Sequence, residues 1–140
     1  MRYLLDTNTV SALVRAHPDA LAHLAQHGSD RVFLSAITEA EIRFGLAKNP
    51  QATRLRRALE SLWPQVTILD FTAATALVYG DLRAALEKTG LPMSPLDTLI
   101  AATALEHSRS DRGGLILVTN DHAFSRVPDL AVEDWTTPMR

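Results

Sequence analysis

Cysteine is missing from this chain altogether. That excludes disulfides, thiolate metal ligands and a cysteine nucleophile, and it suits a reducing compartment. A dominant charge is missing too. Lys and Arg number 14 against 16 Asp and Glu, for a net charge of −2. No global basic field advertises nucleic acid, so a polyanion would have to be held by local basic patches or through metal. No apolar run approaches the roughly 20 residues that span a bilayer. The start lacks the basic and apolar regions of a signal peptide, so a cytoplasmic protein with no membrane partner is expected. Neither G-x-x-x-x-G-K-[ST] nor G-x-G-x-x-G occurs, which removes the common phosphate-cradling loops. Ser35 and Ser94 lack a nucleophile elbow. His17, His23, His27, His107 and His122 show no H-E-x-x-H or other ligand spacing, and most are expected at the surface.

What is there is an ordinary globular composition, 46% hydrophobic over 140 residues. One domain, residues 1–140, with a single core is expected. Tyr3-Leu4-Leu5 is a short apolar run that ends in Asp6 and leads into a helix-like stretch. That order reads as a buried strand with a carboxylate at its carboxyl end. Further strands are expected at Val32–Leu34, Val66–Leu69 and Leu115–Val118, with a short edge strand at 131–133. Helices are expected at Thr9–Arg15, Asp19–Gln26, from Thr38 to Asn49-Pro50, over 51–62, over 72–89, and from Ser94 to about His107. Gly28 and Gly90 close two of them. Ser108 to Gly114 reads as a polar turn. The alternation predicts an α/β fold, an α/β/α sandwich around a mostly parallel sheet of four to five strands. Trp63 and Trp135 read as packing anchors.

Four acids follow from that topology. Asp6 ends the first strand, Glu41 lies early in the helix after the second, Asp97 opens the helix before the fourth, and Asp121 follows that strand. All four belong on the carboxyl edge of a parallel sheet, where open α/β folds bind ligands. Clustered carboxylates repel in a cleft of low dielectric, and a hard divalent cation relieves them. Mg²⁺ or Mn²⁺ fits, and such a site activates water for phosphodiester cleavage. Local roles compete with this. Thr38-x-x-Glu41 and Ser94-x-x-Asp97 match capping boxes. Asp6 and Asp121 suit turns.

Four stretches resemble the PIN domain, in particular the VapC-type toxins of bacterial toxin–antitoxin pairs. They are Leu4-Leu5-Asp6-Thr7-Asn8, Ser35 to Gly45, Ser94-Pro95-Leu96-Asp97-Thr98-Leu99-Ile100-Ala101-Ala102 and Val118-Thr119-Asn120-Asp121. They occur in the family's order and span nearly the whole chain. The resemblance implies a PIN-like sandwich and a Mg²⁺-dependent endoribonuclease acting on single-stranded RNA. A cognate VapB-like antitoxin would hold it inactive. The metal carboxylates would be Asp6, Glu41, Asp97 and Asp121, all four catalytic. The family varies at the fourth acid, and Asn120 stands beside Asp121. Thr7, Asn8, Thr119 and Asn120 would be polar supports. Arg43, Arg83 and Lys88 are candidates for holding RNA. The segment from Glu106 to Gly114 is longer than is usual in the family.

The resemblance also implies a two-fold homodimer. Val78, Leu82 and Leu86 form a row on the 72–89 helix, with Tyr79 beside it; the row either packs on its own sheet or serves the pair. Two other readings compete. A haloacid-dehalogenase-like phosphatase needs a second Asp two residues after the first, where this chain has Asn8. A catalytically silent PIN-like binding module would not need all four acids.

Overall fold

The computed structural model describes residues 1–28, 31–110 and 114–139. Five strands form one sheet: β1 (Arg2–Leu5), β2 (Val32–Ser35), β3 (Thr67–Leu69), β4 (Leu115–Val118) and β5 (Val132–Glu133). Their order is β3-β2-β1-β4-β5, and every pairing is parallel. The six α-helices are α1 (Thr7–Val14), α2 (Pro18–His27), α3 (Ala36–Lys48), α4 (Thr53–Leu62), α5 (Ala73–Lys88) and α6 (Pro95–Ser110).

Side chains that alternate along the strands feed two separate cores, as a pleated strand requires. Tyr3 and Leu5 of β1, Val32 and Leu34 of β2 and Val118 of β4 join the core under α1, α2 and α4. Leu4, Leu115 and Leu117 point the other way, into the core under α5 and α6. The second core rests on α6, where Ile100, Ala101, Ala104 and Leu105 are all buried. Small residues at 101 and 104 let this helix lie close against the sheet. Each leucine buried in this way contributes about 1.5–3 kcal/mol.

From β1 the chain steps to β2 and β3 on one side, then returns to place β4 on the other side of β1. The strand order therefore reverses between β1 and β4. Parallel sheets open a crevice beyond the strand ends at such a switch point. Asp6 and Asp121 follow those two strands, and the Asp6 amide donates to the Val118 carbonyl at 3.0 Å.

Two sequence expectations need correction, and one left open is decided. The helix after β2 starts at Ala36, capped by Ser35, whose buried hydroxyl accepts from the Thr38 amide at 3.0 Å. Thr38 is therefore inside the helix, and Glu41 lies in its second turn rather than in a Thr38–Glu41 capping box. The helix α6 runs to Ser110, three residues beyond the expected end; the rest of the expected turn, residues 111–113, lies outside the described residues. Leu82 and Leu86 are buried in the chain's own second core, with Val78 packed beside them. That row is consumed by folding. The outward face of α5 instead exposes Leu77, 75% accessible. No helix among the described residues is long and apolar enough to cross a membrane.

Candidate functional site

Asp6 is the most constrained of the four acids. It is 3% exposed and caps α1, its Oδ1 accepting from the Thr9 amide at 2.8 Å. Burial raises its pKa above the usual carboxylate range, and the nearby Asp97 charge adds to the rise. Hydrogen bonds from Thr119 and Thr9 work in the opposite direction. The Thr119 hydroxyl also accepts from the Asp121 amide at 3.0 Å, so one buried threonine braces the chain at both acids.

The other three acids are partly buried. Glu41 receives a hydrogen bond from the Thr7 hydroxyl at 2.8 Å. Asp97 is the third residue of α6, where Ser94 Oγ caps its backbone amide at 3.2 Å. The capping expectation at Ser94 thus holds for the Asp97 backbone. Asp121 Oδ1 accepts from the Ala123 amide at 2.9 Å and starts the short 3-10 turn His122–Arg126, as an Asx cap does. Local capping and placement in the cleft are not alternatives here: Asp6 and Asp121 do both.

Together Asp6, Thr7, Asn8, Glu41, Asp97 and Asp121 line one cleft of about 210 Å³. No Lys, Arg or His is among these lining residues. Asn120 is not among them; it accepts a long 3.5 Å hydrogen bond from the Asn8 side-chain amide. Arg43 and Arg83 do not line the cleft. Arg43 lies over the Trp63 ring at 4.0 Å and pairs with Glu39 at 3.4 Å. Arg83 bonds Glu87 at 3.1 Å and Tyr79 at 2.9 Å along the exposed side of α5. Lys88, at the end of that helix, is exposed as well.

The donor set suits a hard cation: carboxylates with hydroxyl and amide oxygens, and no nitrogen base. No three of the four acids bring oxygen atoms within 4.8 Å of one another among the described residues. Such spacing fits an ion that keeps several waters and takes one or two carboxylates directly, which is how Mg²⁺ binds. It does not fit a dehydrated ion caged by protein alone.

Most of the histidines are expected at the surface, and His23 is the buried exception. It is 7% exposed, and its ring stacks on Trp135 at 5.6 Å. His27, one helical turn on, stacks on the same indole at 5.3 Å. The chain after β5 folds back over α2 and covers them. The signal present in the sequence was the spacing His23-x-x-x-His27, which places both rings on one helical face.

The PIN domain family model matches residues 3–130. Ribonuclease VapC2 of Rickettsia felis is 33% identical over 140 aligned positions, covering 96% of this chain and 98% of that protein. The tRNA(fMet)-specific endonuclease VapC of Shigella flexneri is 30% identical over 136 residues, covering 97% and 99%. A solved structure of VapBC2 from Rickettsia felis, bound to a promoter DNA fragment, superposes with a TM-score of 0.84 at 31% identity, covering 96% and 99% of the two chains. The chain belongs to the PIN-domain family, among its VapC ribonucleases. Membership sets aside the dehalogenase-like phosphatase, the reading that Asn8 already disfavoured.

Proposed function

We propose that this protein is a Mg²⁺- or Mn²⁺-dependent endoribonuclease, the toxin of a toxin–antitoxin pair. Asp6, Glu41, Asp97 and Asp121 would hold the metal. The observation that carries the reading is the meeting of four acids, from four distant segments, in one cleft at the switch point of a parallel sheet. The relatives named as ribonucleases support RNA as the substrate. When bound, the cation supplies Lewis-acid activation of water and charge stabilisation at the phosphate.

The chain's own residues set the geometry. Thr7 fixes the Glu41 carboxylate, and Thr119 fixes Asp6 and the turn that carries Asp121. Buried Asp6 is the natural direct ligand, since burial disfavours its charge until a cation arrives. The partly exposed Glu41, Asp97 and Asp121 would complete the metal site, and the cation would there supply activation of water for attack on the phosphate. Among the described residues nothing cationic lines the cleft, so a bound metal would offset the repulsion between carboxylates and RNA. A silent binding module has no use for this full set of acids.

A VapB-like antitoxin fits a second feature. An apolar groove lined by Val10, Val14, Ile42, Leu55 and Leu59 runs between α1, α3 and α4 and ends at Thr7 and Glu41, which also line the cleft. Phe44 stands 66% exposed on the same helix as Ile42. An amphipathic helix laid in this groove would bring a terminal Arg or Lys to the carboxylates. The solved relatives from Rickettsia felis and Salmonella typhimurium are VapBC structures, which supports such a partner. Any two-fold pairing would use the outward face of α5 around Leu77 rather than the buried Leu82 row.

The test is cleavage of single-stranded RNA by purified protein. Activity should vanish in EDTA, return with Mg²⁺ or Mn²⁺, and fall on adding a cognate antitoxin. Undiminished cleavage in EDTA would overturn the metal assignment, and no cleavage under any metal would favour the silent module.

A further inference from the structure

We propose that His23, His27 and Glu133 form a second cation site, of transition-metal type such as Zn²⁺, which ties the C-terminal segment to α2. One ligand atom from each of the three lies within 4.8 Å of the others. They share no residue with the acidic cleft, and the inference stands independently of the nuclease reading.

His23 carries the case. Its Nε2 lies 2.9 Å from the Thr137 carbonyl oxygen. A carbonyl only accepts, so Nε2 bears the hydrogen. In the neutral ring Nδ1 then presents a bare lone pair. That atom is buried and makes no hydrogen bond. It faces Glu133 Oε1 at 3.9 Å, beyond hydrogen-bonding distance. A buried lone pair aimed at a carboxylate is repulsive unless a positive centre lies between them. A metal bonded to both at about 2.0–2.2 Å fits between them once the carboxylate closes by roughly half an ångström to tetrahedral spacing.

The surroundings are those of a built site. A backbone carbonyl on the second nitrogen is the usual way a protein fixes a ligating histidine. The Trp135 indole donates to Glu133 Oε1 at 3.0 Å and orients the carboxylate. His27, at i+4 on the same helical face, is held between the Trp135 and Tyr3 rings at 5.3 and 4.2 Å. A small cavity of about 180 Å³ opens beside the three residues, with Gln26 and Met139 at its mouth. A fourth ligand, water, has room there. Two imidazoles and one carboxylate select Zn²⁺, Ni²⁺, Co²⁺ or Cu²⁺ over Mg²⁺, which prefers oxygen alone.

The experiment uses tag-free, EDTA-treated full-length protein in excess Mg²⁺, which occupies the acidic cleft. Calorimetric titration with Zn²⁺ should give one equivalent bound. Saturating Zn²⁺ should raise Tm by roughly 5–10 °C. Glu133→Gln keeps an acceptor for the Trp135 indole, and His27→Ala removes a half-buried ring; each should weaken Zn²⁺ binding at least about 10-fold. Asp97→Asn should leave it unchanged. Co²⁺ should give visible d–d absorption in the wild type and lose it in His27→Ala. An absent Tm shift in wild type, or full affinity in both variants, would overturn the site. So would loss of binding in Asp97→Asn, which would move the metal to the acidic cleft. Nitrogen-15 NMR supplies a check that needs no variant. His23 Nδ1 should shift on adding Zn²⁺; an imidazolium spectrum that Zn²⁺ leaves unchanged would make the pair a buried salt bridge and end the proposal.

Discussion

The acidic cleft and the aromatic corner lie on the same small sheet and are built on opposite terms. In the cleft, four like charges are brought together and one, Asp6, is buried against its own preference. In the corner, Trp135 is fully buried, His23 and His27 stack on it, and Tyr3 meets it at a tilt. The first arrangement costs stability and offers chemistry; the second supplies stability. Proteins commonly spend at functional sites what their cores provide. The two regions also meet: the Thr119 amide donates to the Glu133 carbonyl at 2.9 Å. β5 thus joins the corner to the threonine that braces Asp6.

The strongest way to break this contrast is Trp135→Ala. Removing a fully buried indole leaves a cavity and should cost about 3–5 kcal/mol. Urea unfolding would measure it. A loss under about 1 kcal/mol would mean that the corner is not where the fold gets its support.

Next comes Asp97→Asn, which should reverse the pattern. Its side chain takes no part in the cap, because Ser94 holds the backbone amide. Cleavage of single-stranded RNA should fall by more than about 100-fold. Tm without metal should hold or rise, since one repulsive charge is gone. Unchanged cleavage would remove Asp97 from the mechanism, and a marked drop in Tm would show that the charge itself supports the helix.

Much of this was legible in the sequence, and the reasons differ by region. The strands could be read because buried parallel strands are short, wholly apolar runs, as Leu115–Val118 is. The co-location of the acids could be read because a parallel sheet puts every carboxyl end on one edge. The start of α3 was misplaced because Thr38-x-x-Glu41 matches a capping box, whereas Ser35, which ends β2 and caps the helix at once, carries no mark of its own. The fate of Leu82 and Leu86 was ambiguous because an apolar helical row looks the same whether its own core or a second chain covers it. The corner was missed for a different reason. His23 and His27 are brought to Glu133 by the fold-back of the last residues, and no periodicity reports a contact of |i−j| above 100. Only the i,i+4 spacing of the two histidines was local enough to notice.

The smallest expected effect gives the finest test, and it concerns the pH dependence of Asp6. Unfolded, this carboxyl titrates near its ordinary value of 3.8; folded, burial raises it. Between the two values the native state binds more protons than the unfolded state, so stability falls as pH rises through that window. Above the folded pKa the loss is complete and constant. Asp6→Asn cannot ionise, yet it keeps an oxygen to accept from the Thr9 amide, so the cap of α1 survives. In EDTA the variant should therefore be more stable than wild type at pH 7. Its advantage should shrink as the pH is lowered toward about 4. Saturating Mg²⁺ should shrink it too, because a bound cation favours the ionised carboxylate of the wild type alone. Thermal melts of both proteins across that range would decide it. If the wild type instead gains stability on the variant as pH rises without metal, the hydrogen bonds from Thr9 and Thr119 outweigh burial. The cleft would then be assembled to hold an anion rather than to await a cation.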